Sequence, residues 1–365
     1  MADMISGGER RPGRWLVAAV VLVLAVGALV YLRHGHGADH ARPVATPTDS
    51  PPPPTLPRLH EKTGITLYVS NYPGPDGETL RRLDLDTGRI TSIAGLPRRV
   101  LAKLEVLPVR GGVAVIGPRC SRCSYTRGSL VYLVRDAYVV RHSRVVSRFP
   151  ASGQALPGRT DRTLWIWADA DSSIQEVDLA GRAVSPRYRI PAGFAPIGAA
   201  ADGILISAAR EVALWNPATG ARRRLGQYIA AAGDVYVWTS AGCRRDCPAH
   251  VTDLVRGTTR ILPGQLPVNS YATMSADGTK LALTFTDSAD IAYVEVVDLR
   301  TGVMRDLGGI SLADLGLSWS ADSRWLIISG MHGLSQLRNT VAVWRPGMDR
   351  PAIARNVPVD QIVLG

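Results

Sequence analysis

Val297-Asp298-Leu299-Arg300-Thr301-Gly302 decides the fold, because the same phrase returns along the chain. It stands again as Leu83-Asp84-Leu85-Asp86-Thr87-Gly88. Looser copies are Val177-Asp178-Leu179-Ala180-Gly181, Leu214-Trp215-Asn216-Pro217-Ala218-Thr219-Gly220, Thr252-Asp253-Leu254-Val255-Arg256-Gly257 and Val343-Trp344-Arg345-Pro346-Gly347. From Gly88 to Gly347 the chain advances 259 residues; with the double-length gap between Gly88 and Gly181 counted as two periods this makes six intervals, a mean of 43. Each copy joins two apolar, strand-like runs through a polar turn. A period of 40–50 residues in strand-rich sequence is the signature of propeller blades.

A second phrase precedes the first in each unit. Ser275-Ala276-Asp277-Gly278 leads into the apolar run ending at Leu283, and Ser320-Ala321-Asp322-Ser323 leads into the run ending at Ile328. Both are tight turns feeding alternating strands. Together the two phrases give four strands per unit and six complete units, near 97–150, 151–192, 193–227, 228–264, 265–309 and 310–356. The stretch 64–96 supplies only three strands, and 357–365 is one strand without a unit. A ring satisfies both. The expected fold is an all-β, seven-bladed β-propeller over 61–365, its C-terminal strand completing the first blade and leaving no free edge.

With residues 275–283, 297–302 and 320–328, the sequence resembles the TolB-type, WD-repeat-like propeller family, whose repeat couples a Ser-x-Asp-Gly turn to a later Asp-x-x-Thr-Gly turn. The resemblance implies the fold. It implies little about a ligand, since such propellers serve many functions.

The first sixty residues are of another kind. Residues 1–14 form a short basic tail, and Trp15 to Leu32 is an uncharged run of 18 residues. At 1.5 Å per residue this is about 27 Å, enough to cross a hydrocarbon core as a helix. Trp15 and Tyr31 stand at its ends, and no small-x-small cleavage site follows Leu32. The run therefore reads as an uncleaved transmembrane signal anchor at 15–32. Residues 33–60 contain Pro43, Pro47, Pro51, Pro52, Pro53, Pro54 and Pro57 and read as a disordered, extended Pro-rich tether. Only 14 residues precede the apolar run while the bulk follows it. The expectation is a single-pass cell-membrane protein, N-terminus cytoplasmic and propeller extracytoplasmic.

The four cysteines form two close pairs, Cys120 with Cys123 and Cys243 with Cys247. Both pairs fall between the second and third strands of their blades. Blades two and five lie nearly opposite on a seven-bladed disc, which separates the pairs and excludes a shared zinc ion. Redox Cys-x-x-Cys motifs open helices in βαβ units, absent here. Two local disulfides, formed outside the cytoplasm, are the expectation.

In a four-strand meander the 1–2 and 3–4 turns face one side of the disc, and the 2–3 loops face the other. The 2–3 loops at 71–78, 117–129, 168–173, 240–249 and 330–339 are the longest. They carry Arg119, Arg122, Arg127, Arg244, Arg245 and Arg338, the candidate ligand-binding residues. The chain has net charge +11, and 58–365 holds 37 basic and 27 acidic residues. Anionic partners follow: a protein or an anionic cell-surface ligand. Nucleic acid is disfavoured, because the arginines are scattered and aromatics make up only 6%.

No nucleophile elbow, His pair, phosphate-binding loop or calcium loop is present, and no cofactor, metal or catalytic residue is expected. Asp169-Ala170-Asp171-Ser172-Ser173 lacks the Gly and Glu of a calcium loop and reads as a polar turn. The favoured function is a membrane-tethered module binding a protein or surface ligand through its 2–3-loop face. The alternative is an extracytoplasmic hydrolase or lyase with its site in the central channel. A carboxylate pair, or a His with a carboxylate, converging there would favour the enzyme.

Overall fold

The computed structural model describes residues 56–70, 80–96, 105–118, 135–151, 153–168, 171–200, 203–208, 211–240, 243, 247–266, 271–286, 292–310, 313–331, 339–357 and 361–363. Its compact propeller unit is Pro53–Gly365. The anchor and most of the expected tether, at 15–32 and 33–55, lie outside the described residues.

Blade 1 holds β1 (Thr66–Ser70), β2 (Leu80–Asp84) and β3 (Ile90–Ser92). Blade 2 holds β4 (Glu105–Val109), β5 (Gly112–Pro118), β6 (Arg135–Arg141) and β7 (Arg144–Ala151). Blade 3 holds β8 (Gln154–Pro157), β9 (Thr163–Ala168), β10 (Ser173–Asp178) and β11 (Tyr188–Arg189). Blade 4 holds β12 (Ala195–Ala200), β13 (Gly203–Ala208), β14 (Glu211–Trp215) and β15 (Arg222–Leu225). Blade 5 holds β16 (Gln227–Ala232), β17 (Val235–Thr239), β18 (Cys247–Asp253) and β19 (Thr259–Leu266). Blade 6 holds β20 (Tyr271–Met274), β21 (Lys280–Thr286), β22 (Ala292–Asp298) and β23 (Met304–Ile310). Blade 7 holds β24 (Ala313–Trp319), β25 (Leu326–Met331), β26 (Asn339–Trp344) and β27 (Ala352–Val357). The last strand, β28 (Gln361–Val363), joins blade 1 in the order β28-β1-β2-β3. Among the described residues there are seven antiparallel four-stranded sheets, and the expected ring closes. Its register pairs Tyr68 with Val363, Val69 with Ile362 and Ser70 with Gln361.

The recurring phrase is explained atom by atom. In blades 1, 3, 4, 5 and 6 the 3–4 turn begins with an Asp or Asn whose side chain accepts amides from the turn it opens. Asp298 Oδ1 takes Arg300 N at 3.0 Å and Thr301 N at 2.8 Å; Asn216 Oδ1 takes Ala218 N and Thr219 N; Asp253 Oδ1 takes Val255 N and Arg256 N. The glycine then turns the chain in the left-handed region, at φ 77° for Gly302 and 72° for Gly88. The 1–2 turns use the other phrase. Ser275 Oγ donates to Asp277 Oδ1 at 2.6 Å, and Ser320 Oγ donates to Asp322 Oδ1 at 2.6 Å. Where blade 6 has Gly278, blade 7 has Ser323 at φ 58°, an unfavourable conformation for a side chain. The hydroxyl offsets this by accepting Asp277 N at 3.0 Å, which ties the two turns across the blade boundary.

Each blade is apolar on both faces, as packing between two neighbours demands. Consecutive residues Val113, Ala114, Val115 and Ile116 are all buried. Seven hydrophobic clusters fill the seven seams. Leu67, Leu83, Ile327, Val341 and Val357 close the seam between blades 7 and 1, and Val294, Val296, Trp319, Ile328 and Trp344 fill that between blades 6 and 7. Trp165 and Trp215 lie together in the seam between blades 3 and 4.

Residues 56–64 form a strap over the closing seam. Leu59 N donates to Ile353 O at 2.8 Å and Ile353 N donates to Pro57 O at 2.7 Å, adding a short parallel segment to the outer edge of β27. Glu61 pairs with Arg345 of blade 7 at 2.9 Å. Asp86 of blade 1 accepts Thr63 N, Thr63 Oγ1 and Gly64 N at 2.7–2.9 Å. The chain thus reaches the ring on the side of the 1–2 and 3–4 turns, at the boundary of blades 7 and 1.

Truncation after Val357 removes β28 and exposes the edge of β1. The thermal midpoint is expected to fall well below that of the intact chain, at about 2–4 °C per kcal/mol lost. An unchanged midpoint in scanning calorimetry would show that β28 carries no closure energy.

Burial works against the charge of Asp86, Asp298 and Asp277, but the hydrogen bonds each accepts outweigh it and hold these carboxyls below the usual range.

 The unfolded carboxyls titrate near pH 4. Folded values depressed below that give stability that is complete above about pH 4 and is lost as the pH falls through the folded values. Acid titration of the thermal midpoint should show this limb, and Asp86→Asn should make it shallower. An identical limb in the variant would remove Asp86 from the account.

Candidate functional site

Strand direction separates two faces of the disc. The 1–2 and 3–4 turns make a turn face, where the Asp and Ser side chains are spent on their own turns. The 2–3 loops and the connectors between blades make a loop face. First strands of neighbouring blades contact one another around the central channel, so they are the innermost strands.

The six candidate arginines all belong to 2–3 loops in sequence and lie outside the described residues. Arg119, Arg122 and Arg127 lie between β5 and β6, Arg244 and Arg245 between β17 and β18, and Arg338 between β25 and β26. Cys120 and Cys123 are also outside the described residues. Cys243 and Cys247 form the expected disulfide, with Cα atoms 5.9 Å apart, across the loop joining β17 to β18. Cys247 is fully buried and pairs with Leu266 of β19, so the bridge ties this loop to the body of blade 5. Asp171 accepts Ser173 N at 3.1 Å and the Ser173 hydroxyl, making the polar turn read from the sequence.

Several loop-face residues escaped the sequence reading. Arg135, at the foot of the loop that carries Arg119, is held by Glu105 at 2.7 Å, and Ala155 N donates to the same carboxylate at 3.4 Å. The two partners are thirty positions apart, and no local motif marks them. Beside the disulfide-braced loop stands a group of tyrosines. Tyr228 is the second residue of β16 and Tyr271 the first of β20, so both sit at the loop-face mouth of the channel. They are 41% and 59% exposed, which is unusual for rings on innermost strands. Tyr228 packs against Tyr236 with centroids 6.0 Å apart, and the Tyr236 hydroxyl donates to Gly226 O at 2.8 Å. Burial raises the pKa of both Tyr228 and Tyr236, so both are neutral phenols at ordinary pH. A signal for this pair did exist: positions 228 and 271 are one 43-residue repeat apart, and both hold tyrosine.

Among the described side chains of the innermost strands, Glu105 is the one carboxylate, and it is engaged with Arg135. Glu295 and Asp306 oppose each other directly, and burial followed by the neighbouring Asp306 charge raises the Glu295 pKa. They belong to the third and fourth strands of blade 6, away from the channel. His250 stacks on Trp238, centroids 4.0 Å apart, on the third strand of blade 5, and His142 occupies a 3–4 turn. Among the described residues no three His, Cys, Asp or Glu side chains converge as a metal set.

The fold has many counterparts. A candidate 6-phosphogluconolactonase from Bacteroides fragilis superposes with a TM-score of 0.50 at 11% identity, over 82% of this chain and 96% of that one. TolB from Acinetobacter baumannii gives 0.44 at 16% identity, over 81% of this chain and 64% of its own length. Hsv2 from Kluyveromyces lactis gives 0.46 at 13%, over 66% and 74%. This chain is a seven-bladed β-propeller in fold. No protein-family model matches the chain, and no curated protein matches it in sequence. At these identities the likeness concerns architecture alone, and 594 solved chains share it to a significant degree.

Replacing Cys243 and Cys247 with serine opens a loop of only a few residues. Chain entropy assigns such a bridge about 2 kcal/mol, so the thermal midpoint should drop by several degrees while the far-ultraviolet spectrum stays that of an intact sheet protein. An unchanged midpoint would show that the bridge does not constrain the unfolded chain.

Proposed function

We propose that this chain is a membrane-tethered, extracytoplasmic propeller that binds a protein or anionic surface ligand through its loop face. The observation that carries the reading is the Cys243–Cys247 disulfide. Structural disulfides belong to oxidising compartments, and this one braces a 2–3 loop. That location agrees with the uncharged run at 15–32 acting as an anchor that leaves the propeller outside.

Two further features support the choice of face. The strap brings the chain to the turn face, so the loop face points away from the point where a tether attaches. The mouth of the channel then offers Tyr228 and Tyr271, amphipathic rings of the type that dominate binding hot spots. The 2–3 loop sequences add Arg119, Arg122, Arg127, Arg244, Arg245 and Arg338, positive charge of the kind that steers and selects acidic partners.

The test has two parts. Cysteine-accessibility labelling of intact cells should modify an engineered cysteine in the propeller and spare one in residues 1–14; the opposite pattern would overturn the topology. For the face, the propeller unit should recover a partner from the cell envelope. Changing Arg119, Arg122, Arg244 and Arg245 to serine, or Tyr228 and Tyr271 to alanine, should lower that recovery at least tenfold, since hot-spot truncations cost about 2 kcal/mol or more. Equal recovery by both variants would remove the loop face as the binding surface.

A further inference from the structure

The outermost strand of a blade is a free sheet edge, and this protein covers two such edges with its own chain. On blade 7 residues 57–59 lie parallel to β27, through Leu59 N to Ile353 O and Ile353 N to Pro57 O. On blade 2 Ala94 lies parallel to the start of β7, donating to Ser143 O and accepting from Val145 N, both at 2.9 Å. Extended backbone therefore docks on these outer edges by strand addition.

The edge of blade 4 has the same geometry and no such cover among the described residues. β15 pairs on one side with β14, Trp215 opposite Arg222 through Val212 opposite Leu225, without a register break. The bond from Asn216 N to Ala221 O sets the phase of the ladder. Antiparallel pairs alternate between bonded and non-bonded, so Arg223 and Leu225 face β14 while the amide groups of Arg222 and Arg224 point outward. Of the other outer strands, β11 has two residues and β19 contains Pro263, and both suit addition less well.

The side chains define what would fit. Arg222, Arg223 and Arg224 are all exposed, and none is in an ion pair among the described residues. Arg223 is committed to structure, donating from Nη2 to Leu254 O of blade 5 at 2.8 Å. Arg222 and Arg224 share the other face of the strand, with the Arg222 guanidinium 5.6 Å from the Phe194 ring centroid. Glu211, at the far end of β14, is the one carboxylate among the described residues of blade 4.

We propose that β15 is a docking edge for an extended acidic segment of a partner protein, bound by strand addition. Backbone bonds form to the outward amides of Arg222 and Arg224. Carboxylates at alternate positions of the segment meet the two guanidinium groups. A second copy of this chain is a poor occupant, since each copy carries net charge +11. Arginine on an edge also guards against aggregation, and that role alone requires no ligand.

All 28 strands and the seven clusters lie within Pro53–Gly365, a self-closed ring, so this unit serves for the test. The probe is a short blocked peptide alternating Glu with Thr. Fluorescence anisotropy should show saturable binding, and amide hydrogen exchange should slow at 221–225. Arg222→Ser with Arg224→Ser should weaken binding about tenfold, at roughly two- to fivefold per opposed pair. A peptide with proline at alternate positions keeps its charge and should lose the ladder, and with it the protection. Each contrary result overturns the proposal: no binding of the Glu peptide, equal binding by the double variant, equal binding of the proline peptide, or equal binding of a Lys-for-Glu peptide. Cosedimentation with phosphatidylglycerol vesicles that is lost in the double variant, without peptide binding, would assign the edge to a membrane surface instead.

Discussion

Ile327, Val341 and Val357 of the last blade face Leu67 and Leu83 of the first, and the whole ring presumes that this seam closes. A blade buries apolar side chains on both faces, so an open arc of seven would leave two faces wet. At about 25 cal/mol per Å² of apolar surface, that exposure outweighs what local turns can supply. Closure is therefore not a finishing detail. It lets residues such as Val113 and Val115, and Ala114 and Ile116, be buried on opposite sides of one strand. The chain meets the demand twice, once through the β28 ladder in blade 1 and once through the strap across blades 7 and 1.

With the seams fixed, the two faces of the disc divide in their chemistry. On the turn face the polar groups are consumed locally. Asp84, Asp178, Asn216, Asp253 and Asp298 each accept amides of their own turns, and Ser275 and Ser320 hold Asp277 and Asp322. Such a surface has little unspent hydrogen-bonding capacity. The loop face differs in kind. Its strand ends carry exposed Tyr228 and Tyr271, the Glu105–Arg135 pair and the disulfide that fixes one loop. Hydrogen bonding made the first face regular enough to be seen as a repeat, and the second face carries no such repeat.

That division also explains what the sequence disclosed. The Asp-x-x-Thr-Gly phrase is legible because its residues solve a problem that is local: a side-chain acceptor and a glycine at positive φ must stand within five positions. Counting the phrase gave the number of blades and left one strand over, which topology alone could place. The strap was not legible. Arg345 and Glu61 lie 284 positions apart, and Pro57 reads as one more residue of a Pro-rich tether until Ile353 is seen beside it. Glu105 with Arg135 is hidden for the same reason. Tyr228 and Tyr271 form an intermediate case, since their spacing is the period itself, but only the burial pattern separates exposed rings from packing ones. The loops bearing the six arginines obey no repeat, so their sequence marks a place on the disc and no geometry.

Both ends of the ring-forming chain converge on blade 1, and they are held there by different means. A load applied upstream of residue 56 meets first the parallel bonds between 57–59 and Ile353, then Glu61 on Arg345, then the three bonds into Asp86. β28 is joined to β1 on the opposite side of that strand from β2, and stands outside this line. Arg355 reinforces the strap side, donating from Nε to Leu85 O at 3.0 Å and from Nη2 to Asp86 O at 2.8 Å, so that blade 7 grips the turn that receives the chain. The seam thus carries two independent fastenings, the strap across blades 7 and 1 and the β28 ladder within blade 1.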